Sequence, residues 1–150
     1  LLAGEGASVR LASRSQRRAS AAAETVNKAV GESRVTGVEV AEDQQLADAL
    51  DGANVVIAAG AAGVRVLPGE ILDQAEGVEV AIDLNAVPPL GIEGVDVTDK
   101  AAERGNMIVY GAVGVGGTKM KVHRAAVEAL FEENDRVLDA EAIFTLAGQL

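Results

Sequence analysis

The sequence predicts an α/β fold in which a doubly wound parallel sheet is covered by helices on both faces. Short apolar runs alternate with helical patterns along the 150 residues, and such alternation implies parallel strands joined by right-handed crossovers. Hydrophobic residues make up 49% of the chain but aromatic residues only 2%. The core must therefore consist of Val, Ile, Leu and Ala, which suits a buried parallel sheet. We assign residues 1–150 to one domain, because this length can bury a core.

Five strands are expected, each a short apolar run that ends in polar or small residues. They cover residues 8–12, 35–40, 53–58, 78–84 and 107–110.

The helices are predicted from apolar periodicity and from capping residues. Ser15 can cap a helix over residues 16–30 that ends at Gly31, and Asp139 can cap the last helix. The side chains of the first of these helices that should face the core are those of Ala19, Ala22, Ala23, Val26 and Val30. A helix that follows the glycines after residue 110 should bury Val122, Ala126, Ala129 and Leu130. Shorter helices are predicted over residues 42–50, 70–75 and 100–104.

Composition excludes several classes of partner. The net charge of −10 argues against nucleic acid, which needs a dense basic surface, and against anionic membranes. No apolar run approaches the roughly 18 residues of a membrane span. The chain has no cysteine, and His123 is its one histidine, so we expect no disulfide and no metal site. A cytoplasmic protein is the expectation.

The residues that follow the first predicted strand form a basic cluster, Ser13, Arg14, Ser15, Arg17 and Arg18. Parallel sheets bind ligands beyond the carboxyl ends of their strands. In dinucleotide-binding folds an acid at this place favours NAD, whereas arginine favours the 2′-phosphate of NADP. No acid stands in this stretch, so it predicts NADP, with NAD kept as an alternative. An ordinary exposed basic patch is the other interpretation.

The glycine fingerprint of a dinucleotide-binding fold lies about 20 residues before that position. Counting back from Arg14 places it ahead of residue 1. We therefore expect a Rossmann-type fold that lacks its first strand and glycine loop, in a chain that is a fragment.

Other predicted strand ends carry weaker signals for cofactor contact. Ala59, Gly60 and Ala61 contain nothing larger than a methyl group, so that backbone can approach a cofactor there, although a tight turn without a ligand is the alternative. Asn85 should lie at the rim of the cleft and could bind a carboxamide. Asp83 could lie there too, or cap its own loop.

The stretch after the fifth strand, Gly111 to Lys119, nearly matches a phosphate-binding P-loop. The lysine does not follow the second glycine directly, as that motif requires, which argues against an NTPase. Lys119 stands in a helical first turn, where the macrodipole disfavours cations. Either it is solvated, or an anion or a reacting group lies beside it. Gly111 and Val113 are assigned to the cofactor from their strand-end position.

Three segments together resemble a known family. Residues 83–96 read Asp-Leu-Asn-Ala-Val-Pro-Pro-Leu-Gly-Ile-Glu-Gly-Val-Asp, and residues 111–124 read Gly-Ala-Val-Gly-Val-Gly-Gly-Thr-Lys-Met-Lys-Val-His-Arg. Together with residues 139–143, Asp-Ala-Glu-Ala-Ile, they resemble the methylene-tetrahydromethanopterin dehydrogenases and their methylene-tetrahydrofolate-using relatives. The likeness extends over nearly the whole chain.

The resemblance implies an NADP-dependent oxidoreductase of one-carbon metabolism. A reduced pterin would be the substrate, and hydride would pass from its methylene bridge to NADP, leaving a methenyl cation. Such a step needs positioning and exclusion of water rather than a metal. The family carries a substrate-binding segment upstream of its NAD(P) domain and forms homo-oligomers. Ser13 and Arg14 match the position that receives the adenosine ribose phosphate, and Lys119 matches a lysine that faces the pterin.

Two other functions stay open at this point. One is a different NADP-linked Rossmann reductase, such as a shikimate-dehydrogenase-like enzyme, which the residues upstream would reveal. The other is a nucleotide-sensing module without catalysis.

Overall fold

The fold is α/β, as predicted, in a computed structural model that describes residues 1–133 and 135–150. The strands are β1 (Val9–Ser13), β2 (Val35–Glu39), β3 (Val55–Ala58), β4 (Val80–Asp83), β5 (Lys100–Arg104) and β6 (Met107–Tyr110). The helices are α1 (Gln16–Val30), α2 (Asp43–Leu50), α3 (Gly69–Gln74), α4 (Gly116–Leu130) and α5 (Ala140–Ala147). Within the described residues, no helix is both long and apolar enough to cross a membrane.

The strands form two sheets rather than the single parallel sheet that the sequence predicts. β1 and β2 pair in parallel as one sheet, and β3, β4, β6 and β5 follow one another in the second. In the described residues no strand pairs with the outer edge of β3 or with the edge of β1 away from β2. Arg10 links the two parts, since its Nη1 donates to the carbonyl oxygens of Ala49 and Asp51, at the end of α2.

The prediction of a helix over residues 100–104 is wrong. This segment is β5, which pairs antiparallel with β6 and carries an irregularity at Ala101, where φ is 52°. Its Lys-Ala-Ala-Glu-Arg sequence favours a helix by local propensity, but pairing with the buried strand β6 outweighs so weak a preference. Gly105 makes the turn between the two strands at a φ of 60°, which suits glycine.

Helix α1 has the predicted bounds and packs closely on β2. A Cβ atom on Gly37 would lie 2.3 Å from the carbonyl carbon of Ala19, so the small residues on both sides permit this approach. Ala19 and Ala23 are buried, whereas Ala22, predicted inward, is exposed. Gly31 ends the helix in the left-handed conformation, as predicted. Ser15 occupies the N-cap position, but its side chain accepts no capping hydrogen bond.

The larger hydrophobic core lies in the four-stranded sheet and its loops. Val78, Ile92 and Val109 are its largest fully buried apolar side chains, and burial of each contributes about 1.5–3 kcal/mol. A smaller cluster, around Ala23 and Val35, joins α1 to the two-stranded sheet. The larger core therefore fixes the carboxyl ends of β3, β4 and β6.

Helices α4 and α5 contact each other at the end of the chain. Asp139 caps α5 as predicted, its Oδ1 accepting the Ala142 N–H at 2.9 Å. Ala126 and Ala129 of α4 are buried, but Leu130 is 43% exposed, so the predicted inward position of Leu130 is wrong. Leu130 is the last residue of α4, where periodicity is a poor guide to burial.

Candidate functional site

The carboxyl ends of three neighbouring parallel strands form one edge of the four-stranded sheet. β3 pairs with β4 and β4 pairs with β6, each in parallel, so the residues that follow these strands emerge on the same side. We call those of them predicted to contact cofactor or substrate the sheet-edge group. It consists of Ala59, Gly60, Ala61, Asn85, Gly111, Val113 and Lys119.

The other predicted residues lie together where β1 ends and α1 begins. They are Ser13, Arg14, Ser15, Arg17 and Arg18. We call them the basic cluster. Arg14, Arg17 and Arg18 are exposed, and no ion pair within residues 1–133 and 135–150 involves them. The Ser15 N–H donates to Ser13 Oγ at 3.3 Å. The first turn of α1 contains no acid, so no carboxylate of that turn offsets the three arginines.

The basic cluster and the sheet-edge group belong to different sheets. Among the described residues, no hydrogen bond or ion pair joins one set to the other. The structure therefore assembles each set separately, and their joint contact with one ligand stays a prediction.

Asp83 and Asn85 are buried beneath the edge rather than placed on its rim, so the predicted rim position of Asn85 is wrong. Asp83 is fully buried and Asn85 is 5% exposed. The Asp83 carboxylate accepts the N–H groups of Asn85 at 2.9 Å and of Ile92 at 2.8 Å. Asp83 is therefore the loop cap that the sequence left as the alternative. It closes the loop after β4 onto the end of its own strand.

Asn85 has an unusual environment, because its side-chain Nδ2 is buried and has no hydrogen-bond partner. A Cβ atom on Gly91 would lie 2.5 Å from this nitrogen and 3.0 Å from Asp83 Oδ1. Gly91 thus covers the amide closely. An unpaired buried amide costs free energy, about 1–3 kcal/mol in proteins, and such a group merits a functional explanation.

The glycines after β6 have a structural role that the sequence did not reveal. A Cβ atom on Gly111 would lie 2.0 Å from the Asp96 oxygen, and one on Gly114 would lie 1.6 Å from the Asp99 oxygen. The N–H of Gly111 donates to the Asp99 oxygen at 2.9 Å, and that of Val113 to the Val97 oxygen at 2.8 Å. The close approach at these two glycines is therefore made by the chain's own 96–99 segment. Contact of Gly111 or Val113 with a cofactor stays a prediction.

Lys119 lies in the first turns of α4. The helix begins at Gly116, so Gly116 and Gly117 belong to it rather than to the preceding turn. Lys119 is exposed, and the first turn of α4 contains no acid that could neutralise it. Its cation therefore lies at a helix end whose dipole disfavours positive charge.

Sequence reasoning missed Glu39, the last residue of β2. It is the direct partner of Ser13 in the parallel pairing of β1 with β2. Its Oε1 accepts the N–H of Gln16 at 3.4 Å. It also lines, with Gln16 and Gly37, a groove of about 480 Å³. The available signal was the parallel pairing of consecutive strands, which brings their carboxyl ends together.

Neither the basic cluster nor the sheet-edge group contains the ligands of a metal site. Among the described residues, no three His, Asp or Glu side chains are grouped as a metal site would require.

Comparison with known proteins identifies relatives. No protein-family model matches the chain. The bifunctional protein MdtA of Methylorubrum extorquens is 46% identical over 146 residues, which are 97% of this chain and 50% of that protein. The NAD(P)-dependent methylenetetrahydromethanopterin dehydrogenase of the same organism is 35% identical over 105 residues, 68% of this chain and 35% of that protein. The chain is therefore related to these two proteins of Methylorubrum extorquens, and it spans half the length of the first and about a third of the second.

Proposed function

We propose that this chain is the NAD(P)-binding domain of a methylene-tetrahydromethanopterin or methylene-tetrahydrofolate dehydrogenase that uses NADP. The observation that carries the proposal is relatedness over 97% of the chain to one protein and over 68% to a second whose name specifies this chemistry. The α/β fold, with its strand ends at one edge, is the architecture in which such cofactors bind.

Two features of the described residues fit a dinucleotide. The basic cluster offers exposed guanidinium groups without carboxylate partners, and guanidinium groups bind phosphate in a bidentate manner. At the other sheet, Asn85 holds a buried donor without an acceptor, which a carboxamide oxygen could satisfy. Because Gly91 covers that donor, the loop after β4 must shift or the amide must rotate before a ligand reaches it.

In the proposed reaction, NADP when bound supplies the carbon that accepts hydride. The chain's contribution is to orient the two reactants and to keep water away. Within the described residues Lys119 makes no ion pair, and its cation would repel the methenyl cation of the product. We therefore assign Lys119 to a hydrogen bond with the pterin carbonyl, which positions the substrate.

The direct test of the proposal is an enzyme assay on the full-length protein. With NADP and either methylene-tetrahydromethanopterin or methylene-tetrahydrofolate, we expect formation of NADPH together with the methenyl product. A protein that reduces NADP with neither pterin would contradict the proposed function. If it still binds NADP, a different NADP-linked reductase or a sensing module becomes the better explanation.

The basic cluster leads to a prediction about cofactor preference. Arg14→Asp replaces a phosphate-binding cation with an anion at the end of β1. We expect NADP to bind at least tenfold more weakly, since a hydrogen bond to a charged group contributes roughly 1.5–3 kcal/mol, whereas NAD, without the 2′-phosphate, should lose much less.

The measurement is a titration of both cofactors into wild type and variant by calorimetry. Lys28→Asp is the matched control, because it makes the same change in charge near the other end of α1 and should leave both affinities nearly unchanged. Equal losses for NADP and NAD in Arg14→Asp would contradict the assignment of the 2′-phosphate to Arg14.

A further inference from the structure

The carboxylate of Glu39, from the neighbouring strand, stands beside the basic cluster, and Asp48 lines the same groove as Glu39. Glu39 is exposed, yet its Oε1 accepts the Gln16 N–H rather than pairing with an arginine. Within the described residues its carboxylate is in no ion pair. A negative charge therefore lies one strand away from Ser13 and at the residue where α1 begins.

The position of Glu39 is fixed by backbone geometry rather than by chance side-chain contact. Ser13 and Glu39 are the last paired residues of β1 and β2, and the Val40 N–H donates to the Ser13 oxygen at 2.9 Å. The Gln16 side chain adds a second link, since its Nε2 donates to the Gly37 oxygen at 2.9 Å. The backbone at Glu39 is therefore held beside Ser13, the residue that precedes Arg14.

We propose that Glu39 is a specificity-determining residue that weakens the preference of this site for a 2′-phosphate over a 2′-hydroxyl. The proposal rests on the function proposed above, in which the basic cluster receives the adenosine ribose. The arginines attract the phosphate, and Glu39 repels it across the end of the paired strands. A ribose 2′-hydroxyl suffers no such repulsion, since a carboxylate can accept its hydrogen.

Charge is the property that makes Glu39 selective. A carboxylate and a phosphate are like charges, and at effective dielectric constants between those of a protein surface and bulk water their repulsion over a few ångströms can change an affinity roughly tenfold. The groove that Glu39 lines, whose other charged lining residues are Arg10 and Asp48, gives a ligand room beside it. The site therefore combines an attractive and a repulsive element, and specificity between similar ligands depends on both.

The test is the variant Glu39→Gln in the full-length protein, with NADP and NAD titrated separately. The glutamine keeps an oxygen that can accept the Gln16 N–H, so a purely structural role would be preserved. We expect the affinity for NADP to rise about tenfold and the affinity for NAD not to rise. The effect should shrink as salt concentration increases, because exposed charges are screened.

Glu24→Gln is the matched control, because it makes the same change in net charge on an exposed face of α1 and should leave the affinity ratio unaltered. If both cofactors bind and the ratio is the same in wild type and Glu39→Gln, the inference is wrong while the proposed function stands. If wild type binds neither cofactor and reduces NADP with neither pterin, the proposed function fails and the inference fails with it.

Discussion

The substitution Gly114→Ala should destabilise the protein by about 3 kcal/mol or more, which exceeds the usual cost of overpacking a core. The new Cβ atom would lie 1.6 Å from the Asp99 oxygen and 2.6 Å from the Asp99 carbonyl carbon. Both are backbone atoms, so no side-chain rotation can relieve the clash. The segment that holds Asp99 would have to move away from the turn after β6, and the hydrogen bond from Gly111 to Asp99 would be lost.

Denaturant-induced unfolding measures this effect, because the midpoint falls with stability while the slope reports the surface exposed. Gly116→Ala is the matched control, since its Cβ would meet nothing within 4 Å. Alanine also favours the helix that begins there, by up to about 1 kcal/mol. We therefore expect opposite signs for two substitutions that lie two residues apart. Similar midpoints for the two variants would show that the 96–99 segment does not pack against Gly114 as described.

The substitution Lys119→Ala should lower kcat/KM for the methylene-pterin by about tenfold to a hundredfold. This range corresponds to the loss of one hydrogen bond from a charged donor, roughly 1.5–3 kcal/mol. The affinity for NADP should stay the same, because the proposed partner of Lys119 is the pterin carbonyl. Steady-state kinetics at saturating NADP, with a separate cofactor titration, distinguish the two effects.

Lys121→Ala is the control for Lys119→Ala. It removes the same charge from the same exposed helix, but two residues along an α-helix point about 200° apart. We expect its kinetics to resemble wild type. An equal loss in both variants would mean that the overall charge of α4 matters rather than a contact of Lys119. A parallel loss of NADP affinity would place Lys119 at the cofactor instead.

Local features were predictable where the responsible interactions are close in the sequence. Helix α1 has the bounds predicted from its apolar period and from Gly31, and Asp139 caps α5 through a residue only three positions away. Both depend on hydrogen bonds within one or two turns. The carboxyl ends of the strands were predictable from where each apolar run meets polar or small residues, and contact of the residues beyond them with a ligand stays a prediction.

Burial and backbone approach could not be predicted in the same way. The sequence placed Asn85 on a rim, but the loop up to Ile92 folds back over the strand end and buries it. The 96–99 segment packs closely on Gly111 and Gly114, which no local pattern in the sequence indicated. In each case a loop determines which residues are buried, and the path of a loop cannot be predicted from hydrophobic periodicity.

The sequence by itself determined the α/β class, the order of most elements and the residues at the strand ends, because alternating patterns and caps are local properties of the chain. Only the tertiary structure decided that residues 100–104 join β6 as a strand, that the strands divide into two sheets, and that Glu39 stands beside Ser13. These outcomes depend on hydrogen bonds between distant segments, whose pairing and register the local pattern does not encode.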